Sequence, residues 1–128
     1  MLVVDTSVLV AHLRGSKAAT RFLEAEAQRG PLLVPALAAW ELWKGANTRA
    51  RVENVHALLE AVVIDPFLAS MARIAGELHV EHRERGEERP TYDLLIASHA
   101  LHHGCPLATL DRDYDTVRSL RVVRAPRA

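Results

Sequence analysis

The sequence predicts an α/β fold: one domain over residues 1–128, with a mainly parallel central sheet flanked by helices. Three observations carry this expectation. Apolar runs of strand length alternate with stretches of helical length. Two of those runs, Met1-Leu2-Val3-Val4 and Pro106-Leu107-Ala108-Thr109-Leu110, are closed by an aspartate, Asp5 and Asp111. No repeat or linker interrupts the 128 residues, which fit one compact unit able to bury well over half of its unfolded surface.

The elements follow in order. Residues 2–5 read as a buried strand and residues 7–13 as a short helix. Gly15-Ser16 then breaks the chain and caps a second helix through about Gln28, which Gly30-Pro31 stops. Leu32-Leu33-Val34 is a second short strand. Residues 36–46 form a helix carrying Glu41, and residues 49–61 another. Val62-Val63-Ile64 reads as a strand, with Asp65-Pro66 as N-cap and first residue of a longer helix to about Arg83. A polar loop, 84–90, precedes an expected amphipathic helix over 91–103, with His102 and His103 in its last turn and Gly104 beyond. A strand over 106–110, the acidic turn 111–115, a short helix and a strand over 121–124 complete the chain.

Composition narrows the class. Hydrophobic residues make up 49% and charged residues 25%, the balance of a globular protein. Sixteen Lys and Arg offset sixteen Asp and Glu, so bulk charge does not announce a nucleic-acid binder. Lys17 and Lys44 are the only lysines. Arginine suits phosphate, but such a bias also follows from genome composition. Cys105 stands alone, which excludes an intramolecular disulfide and suits a reducing cytoplasm. With no leader-like start and no long apolar span, neither secretion nor membrane insertion is expected.

Asp5, Glu41, Asp93 and Asp111 carry the chemistry. Asp5 and Asp111 close strands whose carboxyl ends form the crevice of an open parallel sheet. Glu41 and Asp93 interrupt apolar stretches, Ala38-Ala39-Trp40-Glu41-Leu42 and Tyr92-Asp93-Leu94-Leu95-Ile96. Each has an ordinary explanation when taken alone. Glu41 can pair with Lys44 one turn on, Asp93 can favour a helix start, and Asp5 and Asp111 can cap turns. Together they predict a convergent pocket. Two carboxylates roughly 5 Å apart repel by about 3 kcal/mol at an effective dielectric of about 20. Such a cluster takes up protons or recruits a cation, and all-oxygen ligands select Mg²⁺ or Mn²⁺ over Zn²⁺. Asp113 is placed to add a ligand, and Asp115 reads as a solvated acid or cap. The hydroxyls of Thr6, Ser7 and Thr109 lie near enough to orient a water or carboxylate, or to serve as caps.

Other residues weigh less. His79 and His82 share a helix face, and His99, His102 and His103 cluster, but no acid or cysteine completes a zinc set. Solvated or capping roles are expected, and no histidine suits a histidine-based hydrolytic mechanism. Trp40 and Trp43 are expected in the core or at a dimer face rather than stacking on bases. Arg14, Arg49, Arg51, Arg83, Arg85, Arg89 and Arg112 could line a phosphate path, though most read as solvated.

Val3-Val4-Asp5-Thr6-Ser7-Val8-Leu9 resembles the opening of a PIN-domain protein, especially the small VapC-type toxins of prokaryotic toxin–antitoxin pairs. The similarity continues through residues 35–45 around Glu41, through Tyr92-Asp93-Leu94-Leu95-Ile96-Ala97, and ends with Leu107-Ala108-Thr109-Leu110-Asp111-Arg112-Asp113-Tyr114. The four blocks occur in order across the whole chain. The resemblance implies a divalent-metal-dependent endoribonuclease that hydrolyses RNA with a metal-activated water. It implies a homodimer in the cytoplasm, held inactive by a protein antitoxin. Carried over, Asp5, Glu41, Asp93 and Asp111 would be the catalytic, metal-binding acids, with Asp113 an accessory ligand. Tyr114 departs from a frequent Phe, and residues 84–90 are more charged than usual for the family. An antitoxin segment inserting an Arg or Lys near Asp5, Glu41 and Asp93 is expected, with Trp40 or Trp43 as anchors. Other classes fit less well. A haloacid-dehalogenase-type phosphatase wants a second Asp where Ser7 stands. A receiver domain needs a late lysine that neither Lys17 nor Lys44 provides. A PIN-like module that binds RNA or a partner without cutting would not need the full acid set.

Overall fold

The computed structural model of the protein describes residues 1–127. Its elements are β1 (Leu2–Val4), α1 (Thr6–Leu13), α2 (Lys17–Arg29), β2 (Leu32–Pro35), α3 (Ala36–Gly45), α4 (Arg49–Glu60), β3 (Val63–Asp65), α5 (Ala69–Glu84), α6 (Thr91–His103), β4 (Leu107–Thr109), a 3₁₀ turn (Arg112–Thr116) and β5 (Val122–Arg124). The five strands form one sheet in the order β3-β2-β1-β4-β5, and every pairing is parallel. Val3 at the centre pairs with Leu33 on one side and Leu107 on the other. The three inner strands are buried at every position. That burial on both faces explains why they are written as unbroken apolar runs rather than as alternating ones.

Strand order fixes the place of the site. From β1 the chain steps outward through β2 to β3, then returns to the far side of β1 for β4 and β5. The winding reverses between β1 and β4, and the crevice of such a sheet opens outside the carboxyl ends of the strands at that point. Asp5 follows β1 directly and Asp111 stands two residues beyond β4.

Local signals set the helix ends. The Ser16 hydroxyl accepts from Ala19 N at 3.2 Å to start α2, and that of Thr48 accepts from Arg51 N at 3.2 Å to start α4. Gly104 ends α6 in the left-handed region at φ +64°, which a side chain would strain.

Three expectations are corrected. Asp65 and Pro66 do not open a helix. Asp65 is the last residue of β3, and α5 begins four residues later at Ala69. The Asp65 carboxylate is taken by side chains of α6 instead. Helix α6 is not simply amphipathic, because Ile96, Ala97, Ser98, His99 and Ala100 are all buried in succession. It is wedged between the sheet and α5. Finally, the acidic turn and the short helix expected after it are one element, the 3₁₀ turn.

Candidate metal centre

Asp5, expected from the sequence to hold a cation, is only 6% exposed. Three hydroxyls hold its carboxylate. Ser7 Oγ and Thr109 Oγ1 each donate to Oδ2 at 2.8 Å, and the Tyr114 hydroxyl donates to Oδ1 at 3.2 Å. The same two small hydroxyls accept from the backbone: Ser7 Oγ from Leu110 N at 3.0 Å, and Thr109 Oγ1 from Asp111 N at 2.9 Å. They therefore orient the carboxylate and fix the exit of β4 at once, so the orienting and capping roles coincide. Thr6 lies to one side, where its hydroxyl meets that of Tyr92 at 2.8 Å.

Asp93, Asp111 and Asp113 gather opposite. Each offers a carboxylate oxygen, and the three oxygens lie within 4.8 Å of one another. Asp111 Oδ1 accepts from Asp113 N at 2.8 Å, so capping the 3₁₀ turn also draws Asp113 toward Asp111. Asp93 sits in the first turn of α6. Burial pushes its carboxyl above the ordinary carboxylate range, the charges of Asp111 and Asp5 push the same way, and Arg89 opposes them. Arg89 Nη2 stands 2.7 Å from Asp113 Oδ2 and 3.4 Å from Asp93 Oδ2.

Glu41 is not among the three gathered oxygens. Its place is marked by Tyr92, whose hydroxyl is pushed up to about 12 by burial and by the charges of Glu41, Asp5 and Asp93, against the hydrogen bond from Thr6. Tyr114 is pushed up further by burial and by Asp5 and Asp93. Both tyrosines stay neutral around pH 7 and add no charge to the acids.

The donor set fits a hard divalent cation. Its members are carboxylate oxygens without a thiolate or imidazole among them. Octahedral ligation at about 2.1 Å places neighbouring oxygens about 3.0 Å apart and opposite ones about 4.2 Å apart. Oxygens within 4.8 Å of one another lie near enough to converge on one such ion.

The histidines depart from expectation. His99 is fully buried and His82 is 1% exposed, so neither is solvated. His99 Nδ1 lies 2.6 Å from Asp65 Oδ2 and His103 Nε2 lies 2.9 Å from the same oxygen. The acid that the cluster lacks in sequence is thus Asp65, shared between two imidazoles. His82 joins Leu78 O at 2.7 Å to Thr116 Oγ1 at 3.0 Å. His79 and His102 are exposed, as expected.

For the tryptophans, expected in the core or at a dimer face, the core placement is corrected. Trp40 is 55% exposed and Trp43 41%, so neither packs in the core. Lys44 Nζ lies 4.6 Å over the Trp40 ring, and no Glu41–Lys44 pair forms among the described residues. Val10, Leu13, Glu41, Leu42, Arg51 and Val55 line a groove of about 470 Å³ between α1, α3 and α4.

Residues 2–120 match the family model of the PIN domain. Ribonuclease VapC10 of Mycobacterium tuberculosis is 36% identical over 111 residues, which cover 87% of this chain and 83% of that protein. The chain is a PIN domain of the VapC type. Ribonuclease VapC11 of the same organism is 32% identical, with 98% of this chain and 97% of that protein aligned. Among solved structures, the PIN domain superposes on DNA-bound VapBC from Salmonella typhimurium with a TM-score of 0.87 at 18% identity, covering 98% of each chain. Against VapBC2 from Rickettsia felis bound to a promoter DNA fragment the TM-score is 0.86 at 20% identity, covering 96% of this chain and 97% of that one.

Two residues escaped the reading of the sequence as site members. Tyr114 is the lone aromatic in the charged run Asp111-Arg112-Asp113-Tyr114-Asp115, a position that only burial explains. Arg89 is one of the seven arginines that could line a phosphate path, distinguished only by standing four residues before Asp93. Of the other six, Arg49 reaches Glu53, Arg51 reaches Asn47, and Arg85 donates to Thr116 O at 2.9 Å beside the acidic turn.

Proposed function

We propose that this chain is a divalent-metal-dependent endoribonuclease, the toxin of a toxin–antitoxin pair, working in the cytoplasm with Mg²⁺ or Mn²⁺. The observation that carries the reading is the gathering of Asp93, Asp111 and Asp113 beside the buried Asp5, in a chain related to proteins named ribonucleases. Asp5, Glu41, Asp93 and Asp111 hold the cation, with Asp113 as accessory ligand. When bound, the cation supplies Lewis acidity to a phosphodiester and to the attacking water. Ser7, Thr109 and Tyr114 hold Asp5 in place beforehand, so little ordering of that carboxylate remains when the site fills. Thr6 and the neutral Tyr92 hydroxyl pair beside these acids, where the charges of Glu41, Asp5 and Asp93 all reach Tyr92. No histidine hydrogen-bonds to these acids among the described residues, in keeping with a mechanism free of a histidine base.

Control follows from the same charges. An acidic cleft is best blocked by an Arg or Lys from a partner, since either replaces a cation among carboxylates. The antitoxin segment runs along the groove bordered by Glu41 and Leu42, and the exposed Trp40 and Trp43 supply apolar anchors. The active form is a homodimer, and residues 1–128 act as one nuclease domain.

Cleavage of RNA by the purified chain tests the reading. Activity should vanish with EDTA, return with Mg²⁺ or Mn²⁺, and be absent from Asp93→Asn. Co-expression with the product of the neighbouring gene should give an inactive complex. RNA bound but never cut by the metal-loaded chain would assign it to binding alone.

A further inference from the structure

We propose that Arg89 is a built-in counter-cation of the acidic site, which a divalent metal must displace from Asp113 and Asp93. The inference rests on the reading of those acids as metal ligands, and concerns what stands in the cation's place before it arrives.

The geometry is that of a competitor. One terminal nitrogen, Nη2, reaches both Asp113 Oδ2 at 2.7 Å and Asp93 Oδ2 at 3.4 Å. These two residues supply two of the three gathered oxygens, the third coming from Asp111. The Arg89 side chain is only 18% exposed, so its charge is poorly screened. Its Nε is buried without an acceptor. A guanidinium built as a permanent strut usually forks onto its carboxylate through two nitrogens. Here only the tip is engaged, which leaves the head easier to release.

The electrostatics agree. Arg89 is the cation that stands against two of the three gathered acids, Asp93 and Asp113. A divalent ion seated among the same carboxylates would face the guanidinium at short range and repel it. The two cations exclude each other. Arg89 also sits between α5 and α6, just before Pro90, where its release unwinds neither helix.

Manganese titration of the intact chain by calorimetry, with no RNA present, reads the competition. Arg89→Gln should bind Mn²⁺ about tenfold more tightly than the parent, the scale of one ion pair of about 1.4 kcal/mol removed from competition. Arg89→Lys, which keeps the charge, should stay near the parent. The metal-free Arg89→Gln protein should melt lower than the parent, and saturating Mn²⁺ should close the gap. Equal or weaker Mn²⁺ binding by folded Arg89→Gln overturns the proposal, since Arg89 would then support the ligands rather than compete with the ion. If that variant does not fold, a structure of the native chain with Mn²⁺ bound decides. Arg89 moved away from Asp93 and Asp113 supports displacement, and Arg89 still bridging them refutes it. Loss of Mn²⁺ binding in Asp93→Asn, with Arg89→Gln unchanged, sinks only the role of Arg89. No Mn²⁺ binding by any form sinks the metal reading with it.

Discussion

Asp5 and Asp65 each stand at the carboxyl end of a parallel strand, and each is 6% exposed, yet their neighbours differ in kind. Around Asp65 are two imidazoles, His99 and His103, at 2.6 and 2.9 Å. Around Asp5 are three hydroxyls, and beyond them further carboxylates whose charges reach Asp93 and Tyr92. An imidazole can carry a compensating positive charge, so the Asp65 carboxylate finds its partners within the chain and ties β3 to α6. A hydroxyl orients a carboxylate without neutralising it, so the Asp5 site keeps a need that a cation meets. Helix α6 serves both places, with Asp93 in its first turn and His99 and His103 toward its end. Equal burial of two aspartates therefore says little; the charge that their partners can carry separates a candidate metal centre from a structural tie.

The largest expected effect divides the two aspartates by function. Asp93→Asn should lower RNA cleavage by more than about a hundredfold, because even supporting partners of metal ligands act on that scale. Asp65→Asn should leave cleavage per folded molecule near the parent but cost about 3 kcal/mol of stability, since it strands two imidazoles that share one buried carboxylate. Cleavage rates beside denaturant melts test this. An Asp65→Asn protein that is fully stable yet inactive would erase the distinction.

Metal response should divide them next. Mg²⁺ at about a hundred times its dissociation constant should add about 2.7 kcal/mol to the stability of the parent. Asp65→Asn should keep that increment. Asp5→Asn should lose much of it, and its metal-free form should itself melt lower, because the amide offers one oxygen to three hydroxyls that donate to both oxygens of the carboxylate. Thermal melts with and without Mg²⁺ check both, and an unchanged increment in Asp5→Asn removes Asp5 from the site.

Acidity gives a finer reading of the same end. The folded chain holds the Asp93 proton more firmly than the unfolded chain, so this group's contribution to metal-free stability is present below the ordinary value of 3.8. It is lost as pH rises through the raised value. Because a cation competes with that proton, the Mg²⁺ increment should shrink as pH falls through the same window. Melts across acid pH should show this in the parent and in Asp65→Asn. A metal increment that holds constant through the window would argue that Asp93 is not a ligand.

Where the chain revealed these features beforehand, burial is the reason. Strands covered on both faces must be apolar throughout, so an Asp closing such a run stands at the strand's end; Asp5 and Asp111 are readable on that ground. The role of Asp65 is not. Asp-Pro before a helical stretch is the local pattern of a cap, and the partner that overrides it, His99, lies 34 residues away. Burial of the polar side of α6 was hidden for a like reason. Ser98 answers its own hydroxyl through Leu95 O at 2.6 Å, and His99 is answered from β3, so polar residues could sit in the core. The tryptophans were readable in principle. Ala38, Ala39 and Leu42 occupy the inner face of α3, which turns Trp40 and Trp43 outward.

The smallest expected effect compares two serines. Ser7 Oγ gives its proton to Asp5 and accepts from Leu110 N, both in partly buried surroundings. Ser7→Ala leaves that N–H unanswered and removes one of three donors from Asp5, for a loss of about 1–2 kcal/mol. Cleavage should fall with it, because Asp5 is then less firmly aimed. Ser70 Oγ meets His102 Nδ1 at 3.0 Å on the exposed surface beside the Asp65 cluster, where water replaces either partner. Ser70→Ala should therefore change stability by no more than about 0.5 kcal/mol and leave cleavage untouched. Paired denaturant melts resolve a difference of this size. If the two variants lose stability equally, the Ser7 hydroxyl contributes no more than a surface contact, and the pre-ordering of that carboxylate rests on Thr109 and Tyr114.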